Sequence, residues 1–401
     1  MIETRGLVRF WIDHFDAILR LERIAGGPDL LKKVLKAIVI VLAVLLVVLA
    51  GYVAYLELTY SRIADNQGLA VSPASDNVGA QQDTALVTGR SYTALTYNIG
   101  FGAYLPEFSF FMDEGVMNDG TETVGDHARA LSADAVHFST DGVISLVQGL
   151  NPDFALLQEV DTDSDRSWHV NQVSDITSVF SQMNSVYAVN LHSSYLVYPP
   201  TDPIGFMNSG LLTLSSQTID SAVRRSYPIS EDPIQKLFDL DRCFQVLRLP
   251  VEGTDKQLVL INSHMSAYDK GGVSRAKQLE MITGLMKSEF EAGNWVIAGG
   301  DWNHALWGSE TMYPSDQKMP DWLAVLDQGD LPEGFSIVRA DNIWDVPTCR
   351  DADIPYEKGV SFCSTIDGFI VSDNVTATAQ NVDSGFAYSD HNPVLMTFKL
   401  N

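Results

Sequence analysis

From residue 91 onward, short runs of apolar residues alternate with longer stretches of helical periodicity. Apolar and β-branched runs bounded by turn residues are typical of buried strands. The clearest are Thr93–Ile99, Phe154–Gln158, Ser209–Leu214, Leu258–Ser263, Val296–Ala298, Gly368–Val371 and Val394–Phe398. Ser274–Ala292 places apolar residues on one helical face, and Gly293 is its stop. Strands with intervening helices predict a layered α/β domain over residues 91–401.

A different pattern marks the start of the chain. Residues 37–56 are an uncharged apolar run that is long enough to cross a bilayer as a helix. Lys32, Lys33 and Lys36 precede this run. The positive-inside rule therefore predicts a cytoplasmic segment over residues 1–36 and an exported C-terminal domain. A cleaved signal peptide is the alternative, which the long leading segment and the lack of a clear A-x-A site disfavour.

The segments around this run carry weaker signals. Residues 7–24 place apolar residues at near-helical spacing, which predicts an amphipathic helix on the inner membrane face or a small helical packing element. Residues 57–90 are rich in small and polar residues, which predicts a flexible tether.

Cys243, Cys349 and Cys363 belong to no CxxC or Cys/His array, which disfavours zinc. An exported domain would allow a Cys349–Cys363 disulfide.

The formal net charge of −25 is unevenly distributed. Residues 1–56 hold seven Lys/Arg and five Asp/Glu, so the rest of the chain carries a net charge of −27. Such a domain repels polyanions at long range, which disfavours general nucleic-acid binding but leaves room for a local basic pocket.

Residues that can bind a metal or move a proton follow several predicted strands. After Trp295-Val296-Ile297, the glycines of Ala298-Gly299-Gly300 permit a sharp turn, and alternation points Asp301 and Asn303 the same way. Other strand ends deliver Asn98, Glu159, His264, Asp367, Asp390 and His391. Each alone has an ordinary explanation, such as a cap, a turn or a solvated acid. Together they indicate one site at the edge of the sheets.

This ordered set resembles the endonuclease/exonuclease/phosphatase superfamily, which has the DNase-I-like fold. The matching segments, which span residues 93–398, are Thr96-Tyr97-Asn98-Ile99, Gln158-Glu159-Val160, Asn208-Ser209-Gly210-Leu211-Leu212, Asn262-Ser263-His264, Gly300-Asp301-Trp302-Asn303, Ile366-Asp367-Gly368 and Ser389-Asp390-His391. The resemblance implies a four-layer α/β/β/α sandwich of two sheets between helices. It also implies hydrolysis of a phosphate ester with a divalent metal, Mg²⁺ or Mn²⁺.

By the same resemblance, Glu159 is the principal metal ligand, with Asn98 and Asp390 nearby. Carboxylate and amide oxygens suit a hard cation of this kind. The cation is needed because a phosphodiester is anionic and repels hydroxide.

The resemblance also implies a catalytic set. Asp301 would accept the proton of the attacking water, and Asn303 would orient that water or a phosphate oxygen. His264 and His391 would contact the phosphoryl group. Asp367 would hold His391, since a carboxylate partner fixes the tautomer of an imidazole and favours its charged form.

The chain departs from the family pattern between Asn98 and Glu159, where an insertion is predicted over residues 101–145. Aromatic and Met residues at 104–112 are candidates for contact with lipid, and acids at 113–126 for contact with a cationic headgroup. A solvated insertion whose aromatic residues cover its own base is the alternative.

These features favour a membrane-anchored, exported phosphoesterase that acts on a lipid headgroup, as sphingomyelinase-like members do, or on another small phosphate ester. An extracellular nuclease is the second interpretation. It is weakened because few basic residues lie near the motifs, and Thr365 stands where many members have one. The third is a surface binding module without activity, which the intact set of motifs disfavours.

Overall fold

The computed structural model describes residues 28–75, 85–229, 241–267 and 273–401. The chain divides into two compact units, one ending at Tyr60 and the other spanning Ser61–Asn401. The amphipathic helix predicted over residues 7–24 lies outside the described residues.

The first described element is a long helix, α1, over Pro28–Thr59. It extends beyond the predicted run at both ends, and its part from Asp29 onward is long and apolar enough to cross a membrane. Its 32 residues correspond to about 48 Å of helix. A signal sequence has the same character, so the orientation of the chain and the export of its domain stay predictions.

The second unit contains three further α-helices among its described residues: α2 (Ala133–Leu150), α3 (Gln172–Val179) and α4 (Val273–Glu291). The described strands, β1 to β20 in chain order, are Gln67–Gly68, Val71–Ser72, Tyr92–Asn98, Glu114–Val116, Glu122–Val124, Phe154–Asp161, Asn184–His192, Asn208–Ser215, Ser221–Ser226, Cys243–Pro250, Gln257–His264, Trp295–Asp301, His304–Leu306, Ala324–Leu326, Phe335–Ile337, Cys349–Arg350, Cys363–Ser364, Asp367–Ser372, Val375–Asn381 and Val394–Leu400. Every strand predicted from an apolar run is present, and Gly293 follows α4 with a left-handed φ of 88°.

Two seven-stranded sheets organise the domain. The first has the order β1-β9-β10-β11-β12-β18-β15, and the second has the order β19-β20-β3-β6-β8-β7-β2. Strands β11 and β12 are parallel in the first sheet, and β3 and β6 are parallel in the second. All other pairs within the two sheets are antiparallel.

Three apolar clusters show how the layers stack. The central cluster joins side chains of both sheets, such as Phe154 from β6 and Phe369 from β18. A second cluster packs α4 on the outer face of the first sheet through Ile282. A third packs α2 and α3 on the second sheet through Val143 and Ile176. The predicted four-layer α/β/β/α sandwich is therefore confirmed.

The predicted tether over residues 57–90 is wrong for much of its described length. Strand β1 pairs with β9, β2 pairs with β7, and Leu86 bridges Val251. Arg62 Nε donates to Asp241 Oδ1 at 2.8 Å. Backbone pairing with the exposed edges of the two sheets orders a segment whose own sequence has little periodicity.

The disulfide that an exported domain would allow is not formed, since Cys349 and Cys363 are free thiols, as is Cys243. In the antiparallel pair of β16 and β17, Cys349 lies opposite Ser364, and Cys363 lies opposite Arg350. The two cysteines are therefore offset by one residue, and alternation along a strand points their side chains to opposite faces.

Candidate active site

The strand register brings the predicted site residues to one end of the sandwich. In the first sheet, Asp301 at the end of β12 lies directly opposite His264 of β11 and Asp367 of β18. In the second sheet, Asn98 at the end of β3 lies opposite Gln158, the residue before Glu159. A hydrogen bond from Gln158 Nε2 to Asn262 Oδ1 (2.8 Å) connects the two sheets just behind the site.

Asp301 is the centre of the cluster. Its Oδ2 accepts a hydrogen bond from Asn98 Nδ2 at 3.0 Å and lies 3.3 Å from His264 Nε2 and 3.9 Å from His391 Nε2. Its Oδ1 accepts from the Asn303 backbone N–H at 2.9 Å. Burial alone would raise the pKa of Asp301, but these partners lower it far below its usual value. Asp301 is therefore an ionised, fully oriented carboxylate at neutral pH.

The predicted pairing of Asp367 with His391 is present. Asp367 Oδ2 lies 2.8 Å from His391 Nδ1, and both side chains are buried. Burial raises the pKa of Asp367 to about 6, although His391 opposes the shift. Burial lowers the pKa of His391, but Asp367, Cys349 and Asp390 outweigh this and raise it well above its ordinary value. The pair therefore carries a carboxylate and an imidazolium at neutral pH.

His264 has the opposite electrostatic character. Burial and the nearby Arg242 lower its pKa, although Asp301 and Glu159 oppose the shift. Its Nε2 lies 3.3 Å from Asp301 and 3.8 Å from Glu159. The cluster thus holds one charged and one neutral imidazole, both within reach of the Asp301 carboxylate.

The three predicted metal ligands lie side by side. Glu159 Oε1 is 3.5 Å from Asn98 Nδ2, and Asp390 Oδ2 is 4.0 Å from His391 Nε2. Ser389 Oγ donates to the Asn98 carbonyl at 2.8 Å, which fixes the Asp390 loop against the end of β3. Asn98 Oδ1 accepts from the Gly100 N–H, so its amide nitrogen faces the carboxylates, and direct ligation by Asn98 stays a prediction.

The donor set fits a hard divalent cation. Burial raises the pKa of Asp390, and the negative charge of Glu159 raises it further, against the opposing effect of His391. A cation would relieve this repulsion, and carboxylate oxygens are its preferred donors. The Glu159 side chain is 22% exposed, so the carboxylate pair is open on one side.

Among the described residues, Asp301, Asp367 and His391 also bring potential ligand atoms within 4.8 Å of one another. A metal between them would compete with His391 Nδ1 for Asp367 Oδ2, which are joined by a hydrogen bond of 2.8 Å. Binding of a cation by Glu159 and Asp390 stays a prediction, which the intact Asp367–His391 hydrogen bond favours.

Two of the site residues have strained backbone conformations. Glu159 and Asn303 have left-handed φ values of 54° and 49°, and Glu159 lies within a bulge between β6 and β8. Such conformations cost about 1–3 kcal/mol and tend to cluster at functional sites. Gly300 has a φ of 155°, and a Cβ there would lie 2.0 Å from the Ser263 carbonyl oxygen. The sharp turn predicted from the two glycines thus depends on Gly300.

Two buried arginines that the sequence analysis did not assign to the site lie close to it. Arg166 Nη2 is 3.9 Å from Glu159 Oε2. Burial would raise the pKa of Glu159, but His264, Arg166 and Arg242 together lower it. Arg166 lies seven residues after Glu159, and this short separation is the only sequence feature that could have assigned it to the site. Arg242 follows a segment without a motif, so the sequence offers no such indication for it. These two arginines are the basic residues near Glu159 that motif spacing did not reveal.

The insertion that follows Asn98 is shorter than predicted, because Ala133–Leu150 is helix α2 of the outer layer. Tyr104, Phe108 and Phe110 are buried, and Phe108 is fully so. The aromatic residues therefore cover the base of the insertion, as the alternative interpretation predicts. Met112 is an exception, with 48% of its surface exposed.

Comparisons with known proteins give the following similarities. No curated protein matches the sequence significantly. Among solved structures, an endonuclease/exonuclease/phosphatase from Beutenbergia cavernae is 14% identical, with 78% of this chain and 72% of that chain covered and a TM-score of 0.48. TDP2 from Caenorhabditis elegans is 14% identical over 78% of this chain and 76% of that chain, with a TM-score of 0.46. The family model that matches residues 95–391 covers well over half of the sequence. The chain belongs to the Endonuclease/Exonuclease/phosphatase family.

Proposed function

We propose that this chain is a membrane-anchored, divalent-metal-dependent phosphoesterase that hydrolyses a phosphate ester of a membrane lipid headgroup. The observation that carries the proposal is the convergence on Asp301. One ionised carboxylate is oriented by Asn98 and Asn303 and lies within 4 Å of both His264 and His391. Such a cluster can orient a water molecule and stabilise a phosphoryl group at the same point.

In this proposal, Glu159 and Asp390 hold Mg²⁺ or Mn²⁺. The bound cation would neutralise phosphate charge and favour deprotonation of the attacking water. Asn98 donates to Glu159 and Asp301 and so keeps the two carboxylates apart and oriented. The Asn98 amide oxygen would become a ligand only after its amide turned away from Gly100.

The other residues act on water and phosphate. Asp301 orients the attacking water through its Oδ2 side and accepts its proton. Asn303 Nδ2 donates to the Met265 carbonyl at 2.8 Å, which fixes the orientation of the Asn303 amide. The amide can therefore orient a phosphate oxygen. His391, held charged by Asp367, stabilises the negative charge that develops or protonates the leaving oxygen. The neutral His264 donates a hydrogen bond to a phosphoryl oxygen.

Three features support a lipid substrate over DNA. Helix α1 has the length and composition of a membrane anchor. The remainder of the chain after residue 56 has a net charge of −27, which repels a polymer with many phosphates more than a substrate with one. The chain also exposes Met112, Trp168 and Tyr198, of which Tyr198 is 63% exposed. The burial of Tyr104 and Phe108 removes them as lipid contacts, so the support comes from these other side chains.

The test uses the full chain in lipid nanodiscs with Mg²⁺ and, separately, Mn²⁺. Phosphate-containing products would be measured from sphingomyelin, phosphoinositides, nucleotides and DNA. We expect lipid turnover that chelation abolishes and that Asp301→Asn lowers by at least about 100-fold. The matched control is Asp141→Asn, on the exposed face of α2. Cleavage of DNA with no lipid turnover would instead assign the nuclease function, and no turnover of any phosphate ester would refute the enzymatic proposal.

A further inference from the structure

Arg166 is buried next to Glu159 but has no step in the proposed mechanism. Its guanidinium donates two hydrogen bonds to the carboxylate of Asp161, from Nε at 3.1 Å and from Nη2 at 2.9 Å. Ser167 Oγ donates to the same carboxylate at 2.9 Å. The Nη2 atom that holds Asp161 also lies 3.9 Å from Glu159 Oε2. Arg166 is thus fixed in place, with one nitrogen directed between the two carboxylates.

The insertion contacts Arg166 from the other side. The Arg166 guanidinium carbon lies 3.8 Å from the centre of the Phe101 ring, and Phe101 has a left-handed φ of 41° just three residues after Asn98. At the far end of the insertion, the Ala130 N–H donates to the Arg166 carbonyl at 2.8 Å. Both ends of residues 101–131 therefore contact one buried arginine that adjoins Glu159.

Glu159 needs such support because its own backbone provides little. It has a left-handed φ of 54° within a bulge, and its side chain is partly exposed. A bidentate arginine fork is rigid, and the face of an aromatic ring confines it further. Groups of this kind, which contact a metal ligand without contacting the metal, commonly set the geometry of the site.

We propose that Arg166 is a positioning residue that orients the Glu159 carboxylate for a divalent cation, and that Phe101, at the start of residues 101–131, sets cation affinity by confining Arg166. This inference rests on the proposed function only in that Glu159 binds the cation. A purely electrostatic role for Arg166 has the opposite consequence. A positive charge 3.9 Å from a ligand oxygen opposes binding of a cation, so its removal would then tighten binding.

The experiment measures Mn²⁺ binding by EPR titration of the full chain in detergent, with no substrate present. Arg166→Lys keeps the charge but loses the fork, and we expect it to weaken Mn²⁺ binding by about 10-fold or more. The double variant Arg166→Met with Asp161→Asn removes both buried charges and should also weaken binding. Phe101→Leu keeps an apolar side chain, loses the aromatic face and should also weaken Mn²⁺ binding. This variant tests the positioning role if the arginine variants fail to fold.

The matched control is Arg129→Lys. Arg129 also stacks on an aromatic ring, that of Trp168 at 4.9 Å, and also pairs with a carboxylate, that of Asp202 at 2.7 Å. It should therefore lose the same kinds of contact without changing Mn²⁺ affinity.

Binding in Arg166→Lys within twofold of wild type, or tighter binding in the neutral double variant, would overturn the positioning role and leave the proposed function standing. Failure of the wild-type chain to bind Mn²⁺ would overturn both. A loss in Arg129→Lys equal to that in Arg166→Lys would also overturn it, since the effect would then not depend on contact with Glu159.

Discussion

The substitution Asp367→Asn perturbs the candidate site at its most strongly coupled pair. Asp367 and His391 are joined at 2.8 Å in a buried setting, a distance typical of a charge-assisted hydrogen bond. A hydrogen bond to a charged group contributes roughly 1.5–3 kcal/mol, which corresponds to a loss of about 10- to 150-fold in rate. A wrongly set tautomer of His391 would add to this, up to a total of about 10⁴-fold. We therefore expect kcat to fall by about 10²- to 10⁴-fold with little change in KM.

The pH dependence gives a second readout for the same variant. In the wild type, Asp367 ionises near its pKa of about 6, and His391 stays protonated until the pH reaches its raised pKa. Activity should therefore fall below about pH 6 and again above the pKa of His391. Without the Asp367 anion, the acid limb should disappear and the alkaline limb should move to lower pH.

The assay is steady-state turnover of the best substrate at saturating Mg²⁺, from pH 5 to pH 9. The control is Asp373→Asn, an exposed residue just beyond the other end of the strand that begins at Asp367. It should keep wild-type kcat and both pH limbs. A kcat for Asp367→Asn within threefold of wild type, with an unmoved alkaline limb, would refute the role of the pair.

Glu159→Gln should raise the Mn²⁺ dissociation constant at least about 10-fold in an EPR titration, and unchanged affinity would exclude Glu159 as a ligand. Gly300→Ala should lower stability by about 1–3 kcal/mol or more, because its Cβ would lie 2.0 Å from the Ser263 carbonyl oxygen. Gly284→Ala, in open space on α4, should be neutral or stabilising, and equal thermal melting of the two variants would contradict the close approach. Gln158→Leu removes the buried hydrogen bond to Asn262 between the sheets and should cost about 1–3 kcal/mol, so unchanged melting would count against that link.

Apolar patterning predicts the central strands well because their burial is nearly complete. Thr93–Ile99 is observed as Tyr92–Asn98, and Val296–Ala298 as the longer Trp295–Asp301. Once these strands are aligned, the polar residues at their ends must meet, which explains why the eight predicted site residues form one connected cluster. Strands Gln67–Gly68 and Val71–Ser72 escape prediction because they are too short for any period and depend on the sheet edges they join.

Side-chain partnerships over long distances are beyond such patterning. Arg166 follows an acidic run and would ordinarily be assigned to a solvated loop, yet it is buried by its contacts with Asp161 and Phe101. Phe108 shows the opposite difficulty, because its sequence position suggests exposure to a membrane. An aromatic residue in an insertion can either face a membrane or pack against the insertion itself. Only the tertiary structure decides between these alternatives, and here Phe108 is fully buried.

The most direct test of the site is the location of a bound cation. Anomalous diffraction at the manganese edge, from crystals of the full chain grown with Mn²⁺, would show it without reference to any substrate. We expect one strong peak within about 2.0–2.3 Å of carboxylate oxygens of Glu159 and Asp390. A peak bound instead between Asp367 and His391, or no peak at this end of the sandwich, would contradict the metal-dependent mechanism proposed for this chain.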